Sequence, residues 1–250
     1  AVGYSSLTAN TTGANNTAYG RDSLLSNTTG DNNTAVGFEA LDANTTGVQN
    51  VAMGALSLSA NTTSNNNTGL GYKAFQSNTT GEQNVGVGVS AGVTNQTGSY
   101  STYVGVNAGF NATVSKNTFI GHDAGSQVTT GANNTVIGRY NGNQGGLDIR
   151  TSSNHIVLSD GDGNPRGIFD SSGNFLVGTT SESTWESAAG FRTRQSGSTT
   201  ITRDGNPPLY VNRLSSDGTL LQFQKGTAVV GSVGTSGGLL VIGDSDCGIA

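Results

Sequence analysis

The 250-residue chain is short of much that globular proteins are built from. It has one cysteine, Cys247, so no intrachain disulfide can staple it. Proline occurs three times, and the 39 glycines do not recur at every third position, which excludes a collagen-like triple helix. Charged side chains are 11% of the sequence and the formal net charge is −5. Charge-driven disorder and a basic nucleic-acid-binding face are therefore both excluded. Hydrophobic residues are 33%, too few for one large oily core. No apolar run approaches the ~18 residues of a membrane helix. No secretory leader is recognisable. The chain opens without Met and inside a repeat, so it is expected to be a piece of a longer protein that continues on both sides.

What is abundant is Gly, Thr and Asn, with 33 Thr and 27 Asn. They are periodic. The glycine closing an apolar tripeptide recurs at Gly3, Gly20, Gly37, Gly54, Gly71, Gly88, Gly105, Gly121 and Gly138, at seven intervals of 17 residues and one of 16. Each unit reads Asn-Thr-Ala-Val-Gly, then a small residue and Leu or Gly, then Asn-Thr-Thr-Gly. The short interval, Gly105 to Gly121, has Asn111-Ala112-Thr113 in place of the usual turn. Helix-pair repeats need about 34 residues and good helix formers, whereas these units are rich in Gly, Asn and Thr. Two short strands per unit, each ended at a turn, fit instead. Stacked units place like residues above one another at about 4.8 Å, and nine coils give a rod of roughly 40 Å.

Three columns carry the expected structure. Asn16, Asn33, Asn50, Asn67, Asn84, Asn117 and Asn134 precede the strand and suit a ladder of side-chain amides that satisfies backbone groups. Gly13, Gly30, Gly47, Gly81, Gly98 and Gly131 mark the turns, where φ > 0 is expected, with Ser64 as the polar stand-in. The small residues before the apolar one (Ala1, Ala18, Ala35, Ala52, Gly69, Gly86) lie on the opposite strand face. They are read as a surface for close approach of further copies, most simply in a homotrimer, because one coil alone buries little apolar area against the entropy of ordering 17 residues.

The repeats Asn33-Thr34-Ala35-Val36-Gly37, Asn50-Val51-Ala52-Met53-Gly54, Asn117-Thr118-Phe119-Ile120-Gly121 and Asn134-Thr135-Val136-Ile137-Gly138 resemble those of YadA-like head domains, which are parallel β-rolls in trimeric adhesins. The longer unit is similar to the version in bacteriophage tail fibres, as are the stretches from Ile168 to Ser181 and from Leu209 to Gly218. The resemblance implies a trimeric, virion-borne fibre contacting a glycan or outer-membrane component of a bacterial host. A bacterial surface adhesin or extracellular filament subunit is the alternative. The expected fold is all-β: a β-roll shaft over 1–145 and a β-hairpin-rich distal module over 146–250. That module holds 7 of the 11 basic and 10 of the 16 acidic residues. Receptor contact is expected there, at Trp185, Arg192, Arg194 and Tyr210, because aromatic and Arg residues dominate binding hot spots.

Catalysis, membrane insertion and nucleic-acid binding are not expected. Asp160-Gly161-Asp162-Gly163-Asn164 imitates the start of a calcium loop, but Pro165 and Ser171 stand where Gly and Glu are required, so a tight polar turn is read. His122 and His155 are isolated and read as surface or turn residues without metal. Glu182 and Glu186 flank Trp185 as a glycosidase pair would, yet two exposed carboxylates in a loop are the simpler reading. No cofactor is implied. Ice binding is a further class for a Thr-rich β-solenoid. Here the adjacent Thr11-Thr12 and its copies would point to opposite faces of a strand.

Overall fold

A computed structural model of the chain describes residues 1–178, 180, 190–202, 209, 211, 218–225, 227–243 and 248–249. Among these there is no helix. They divide into two compact units, Ala1–Thr202 and Arg203–Ala250.

The first unit is a parallel β-solenoid. Its coils contribute β1 (Thr17–Tyr19), β2 (Thr34–Val36), β3 (Val51–Met53), β4 (Thr68–Leu70), β5 (Val85–Val87), β6 (Thr102–Val104), β7 (Thr118–Ile120) and β8 (Thr135–Ile137). Each strand pairs with the next in parallel and at the same repeat position, as in Ala18↔Ala35 and Ala35↔Ala52. There is one regular strand per coil rather than the expected two. After each motif glycine from Gly3 to Gly121, alternate residues take positive φ: Asp22 57° and Leu24 50°, Glu39 53° and Leu41 52°, Lys73 59° and Phe75 49°. Alternation with left-handed residues cannot propagate an extended strand. The segment crosses the coil as linked turns that still bond coil to coil, with Leu24 N donating to Ala40 O at 3.0 Å and Leu58 N to Ala74 O at 3.0 Å. A left-handed non-glycine residue costs roughly 1–2 kcal/mol, and burying a Leu or Phe returns about 1.5–3 kcal/mol. Where the column switches to Gly92, Gly109 and Gly125, the same φ of 60–62° is adopted without that cost.

The core reverses the expected facing of the strands. The middle residue of each strand points inward: Ala18, Ala35, Ala52, Tyr103, Phe119 and Val136 are buried, and so are the Gly69 and Gly86 positions. The small-residue column is therefore the core lining and not a contact surface between copies. It is small because the opposite segment supplies the bulk, through Leu24, Leu41, Leu58 and Phe75. A Cβ on Gly86 would lie 2.7 Å from the Phe75 ring. The arrangement then inverts along the rod. Once the opposite column becomes Gly92, Gly109 and Gly125, the strand column enlarges to Tyr103 and Phe119, whose rings fill the space a Cβ on those glycines would need. Phe75, Tyr103 and Phe119 form a continuous stack, with centroids 5.6 and 5.4 Å apart.

The turn glycines also act differently from expectation. Gly13, Gly30, Gly47, Gly81, Gly98 and Gly131 are not among the positive-φ residues. They are glycine for want of space. A Cβ on Gly30 would meet Asn27 Oδ1 at 2.6 Å and the Gly47 carbonyl, and one on Gly98 would meet Val114 O at 2.7 Å. Positive φ belongs to the motif glycines instead, for example 137° at Gly37, where a Cβ would also strike Gly54 O at 2.7 Å. Both columns let coils approach to stacking distance.

The 16-residue unit loses its residue at the turn, where Thr113 alone bridges the interval that Gln96-Thr97 and Thr129-Thr130 fill in its neighbours. Strand register is untouched, with Thr102↔Thr118, Tyr103↔Phe119 and Val104↔Ile120 paired. A one-residue slip inside the strand would have turned every following side chain to the other face.

The end of the repeat at 145/146 is not a boundary in the fold. A small hairpin, β9 (Asn143–Gln144) and β10 (Leu147–Asp148), is inserted, and β11 (Ile156–Ser159) then resumes the parallel ladder on β8. Tyr140 and Ile149 from the insertion are buried in the roll. The same sheet continues antiparallel through β12 (Pro165–Phe169), β13 (Phe175–Val177), β14 (Gly190–Thr193) and β15 (Thr199–Thr202), making thirteen strands in all. The turn built by Asp160-Gly161-Asp162-Gly163-Asn164 recurs as Asp170-Ser171-Ser172-Gly173-Asn174. In both, the first Asp carboxylate accepts the backbone N–H two and four residues on, at 2.9–3.0 Å. Asp160 also takes Arg166 Nε at 2.9 Å, and the Asn164 N–H and this guanidinium hold its carboxyl down at about 2. The second unit is a four-stranded antiparallel sheet of β16 (Gly218–Lys225), β17 (Ala228–Ser236), β18 (Leu239–Gly243) and β19 (Gly248–Ile249).

Candidate interaction face

With the middle residue of each strand inward, the first and third point out. The third column reads Tyr19, Val36, Met53, Leu70, Val87, Val104, Ile120 and Ile137, and the first reads Thr17, Thr34, Val51, Thr68, Val85, Thr102, Thr118 and Thr135. None of the sixteen carries a charge. Tyr19, Met53, Ile120 and Ile137 are 59%, 46%, 40% and 46% exposed, and the others of the third column are half-buried by their neighbours in the column. Beside them, just after the motif glycine, lie the exposed Tyr4, Phe38, Tyr72, Val89 and Val106. The same outward face continues past the repeats through Ile156, Leu158, Phe169, Val177 and Phe191, which are all exposed. Phe169 and Phe175 stack here at 4.7 Å, and Phe175 meets Phe191 edge-on at 6.5 Å. Contiguous exposed apolar residues of this kind mark an interaction face, although Arg21 and Lys73 lie over the Phe38 and Tyr72 rings beside it.

Two ladders hold the face flat. The expected one is present. Nδ2 of Asn33, Asn50, Asn67 and Asn84 donates to the turn carbonyls of Gly47, Ser64, Gly81 and Gly98 in the next coil, each at 2.8 Å. Their Oδ1 atoms accept the backbone N–H of Asn50, Asn67, Asn84 and Ser101 at 3.0 Å. Asn16, Asn117 and Asn134 do the same work, with Ser101 interrupting the column. These amides bond mainly to backbone and scarcely to one another.

The second ladder escapes the sequence reading. Asn10, Asn27, Asn44, Asn61, Asn78 and Asn95 open the turn. All but Asn10 are fully buried. Asn27, Asn44, Asn61 and Asn78 donate to the Oδ1 of the preceding member at 2.8–3.0 Å, and each also donates to the carbonyl three residues on. Ser64, in its turn-glycine position, adds an Oγ that bonds Asn61 Oδ1 and accepts from Asn67 and Asn78. The signal was present in the sequence as an Asn repeating every 17 residues, masked by the turn-forming habit of Asn-Thr-Thr-Gly. The hydroxyls of Thr11, Thr28, Thr45, Thr62 and Thr79 are likewise spent on the next coil, donating to backbone carbonyls at 2.9–3.3 Å.

Titratable groups are sparse. His155 is buried rather than at the surface, at 7% exposure, and burial lowers its pKa. His122 is exposed, with Nδ1 2.8 Å from Asp123 Oδ2. Asp42 has an oxygen buried without a hydrogen-bond partner, and burial, then the nearby Glu39, raise its carboxyl to about 6. Among the described residues no group of three His, Cys, Asp or Glu side chains could hold a metal ion, and no helix is long and apolar enough to cross a membrane.

Of the expected receptor residues, Trp185 and Tyr210 lie outside the described residues, as do Glu182, Glu186 and Cys247. Arg192 sits in β14 opposite Leu176 and Thr200. Arg194 opens the β14–β15 turn, its N–H donating to Ser198 O at 2.9 Å. The two arginines are thus next-but-one neighbours on one hairpin.

No protein-family model matches the chain, and comparison with curated proteins and with solved structures finds no match.

Proposed function

We propose that the chain is a structural segment of a homotrimeric adhesive fibre, of the kind carried on bacteriophage tails, that contacts a bacterial surface component and performs no catalysis. The observation that carries this reading is the uncharged apolar stripe on the outward sheet face, repeated by every coil. A solenoid whose inside is already filled by Ala, Leu and stacked aromatics has no internal reason to keep Met53, Ile120 and Ile137 apolar. Covering them with a second and third copy supplies one. Three copies, as opposed to two, are what the resemblance to trimeric adhesins implies. The ladders suit a rod, since they fix coil spacing without a globular core. Replacing Met53 and Ile120 together by Glu tests the reading. The variant keeps the parent's circular dichroism but loses assembly and cell adhesion. Retention of both would refute it.

A second reading has one favourable observation. The outward strand column carries Thr17, Thr34, Thr68, Thr102, Thr118 and Thr135 in register, a hydroxyl array of the kind that could bind ice. Protruding Tyr19, Met53 and Tyr72 roughen that surface, which favours self-association. Thermal hysteresis in dilute solution would select the ice-binding reading.

A further inference from the structure

On the side of the roll away from the strand face, the two successive coils that flank the short turn form an open depression. Asn107, Phe110 and Asn111 line it from one coil and Asp123, Ser126 and Gln127 from the next, around a volume of about 250 Å³. It exists because the repeat is broken here. Phe110 is the one aromatic in a column that reads Leu25, Asp42, Ser59, Gln76 and Val93 before it and Ser126 after it. A ring stacked over a serine leaves room beneath its edge.

The polar groups around the ring are already oriented. Asn107 Nδ2 donates to Asp123 Oδ1 at 3.0 Å, and Asn111 Nδ2 donates to Ser126 O at 2.8 Å. Asp123 Oδ2 faces His122 Nδ1 at 2.8 Å and Arg139 Nη2 at 3.8 Å. Each asparagine keeps its Oδ1 and one N–H for a ligand, and the Gln127 amide is exposed. Two fixed amides, a free amide and a carboxylate beside an apolar ring match the vicinal hydroxyls and C–H face of a pyranose. The carboxylate disfavours an anionic sugar, since the one nearby guanidinium, that of Arg139, is directed to it. The volume lies below the roughly 300–1,000 Å³ of sites for drug-sized molecules, which suits one sugar ring.

We infer that this depression is a binding subsite for a single neutral pyranose. The inference rests on the proposed fibre in one respect. Leu or Gly of this segment and the strand's middle residue meet in the core, so their outward neighbours lie on opposite sides, and copies packed through the strand face leave the depression open.

Saturation-transfer NMR on the full chain tests it, with the methyl glycosides of glucose, galactose, mannose and N-acetylglucosamine as probes and N-acetylneuraminic acid as the anionic comparator. At least one neutral glycoside should receive saturation and the acid should not. Phe110→Ala should weaken that binding about tenfold or more, and Asn111→Ala should weaken it as well, while Phe38→Ala on the strand side leaves it unchanged. Absence of transfer to every neutral probe, or equal binding by Phe110→Ala, overturns the subsite. If sugar binding fails while the assembled mass persists, only this inference falls. If a monomeric chain binds sugar, the subsite stands and the fibre does not.

Discussion

Replacing Asn67 by Leu breaks the first ladder and, with it, the bond to Ser64 Oγ that ties it to the second. The side chain donates to Gly81 O at 2.8 Å, and its Oδ1 accepts the Asn84 N–H at 3.0 Å. Leucine keeps the same four-atom branched skeleton, so no cavity opens, yet both backbone groups lose their partner inside a site closed to water. An unsatisfied buried donor or acceptor costs about 1–3 kcal/mol. The two together cost about 2–6 kcal/mol, which for a chain of this size lowers the melting temperature on the order of 10 °C. Thr80→Ala, at an exposed turn position whose side chain meets no ladder, is the control and should stay within about 0.5 kcal/mol of the parent. Calorimetry compares the two variants. Because a solenoid can open locally, hydrogen exchange should also show faster exchange confined to the coils around Gly81 and Asn84. Equal melting of Asn67→Leu and Thr80→Ala would refute the view that the amides hold the coils together.

Further outcomes follow from the same contacts. Asn78→Ala should cost as much as the Asn67 variant, since Asn78 bonds Asn61 Oδ1, Ser64 Oγ and Gly81 O, and chemical denaturation would read it. Gly86→Ala should destabilise by about 1–3 kcal/mol through collision with Phe75; pairing it with Phe75→Leu should recover part of the loss in a double-mutant cycle, and strict additivity would deny the contact. Tyr103→Phe should be neutral or stabilising by up to about 1 kcal/mol, because the buried Tyr103 hydroxyl has no hydrogen-bond partner. Asp42 is held at about 6 against an ordinary 3.8, so the folded state binds its proton more tightly and stability falls as pH rises from about 4 to about 6. Asp42→Asn should therefore stabilise at pH 7 by about 1 kcal/mol, allowing for partial exposure, and the advantage should vanish near pH 4.

Period, parallel stacking and the Asn16-to-Asn134 column were legible in the sequence because each depends on one residue recurring at fixed spacing. Facing was not. In a three-residue strand such as Thr34-Ala35-Val36, hydrophobicity alone puts Val36 inside, but the inward position is Ala35 because Leu41 crosses to fill the space. The clue lay in a size exchange between columns: Phe75 gives way to Gly92 in the opposite segment just as Gly86 gives way to Tyr103 in the strand. The role of Gly30 and its copies is hidden in the sequence for a related reason. A turn glycine is usually needed for φ, whereas here it is needed because the next coil's carbonyl occupies the place of a side chain. The continuation of the sheet through Ile156–Ser159 was hidden by the 21-residue interval from Thr135 to Ile156, which accommodates the inserted hairpin without breaking strand register. Expected receptor contacts rested on residue type alone, and of the four only Arg192 and Arg194 fall where an element is described.

In the proposed trimer the outward strand face is covered by further copies of the same chain. Light scattering on the folded, purified chain tests it most directly. A trimer has a molar mass of three times 25.2 kDa, reduced toward 25.2 kDa by Glu at Met53 and Ile120. A parent chain that is folded, soluble and monomeric at 25.2 kDa would contradict it.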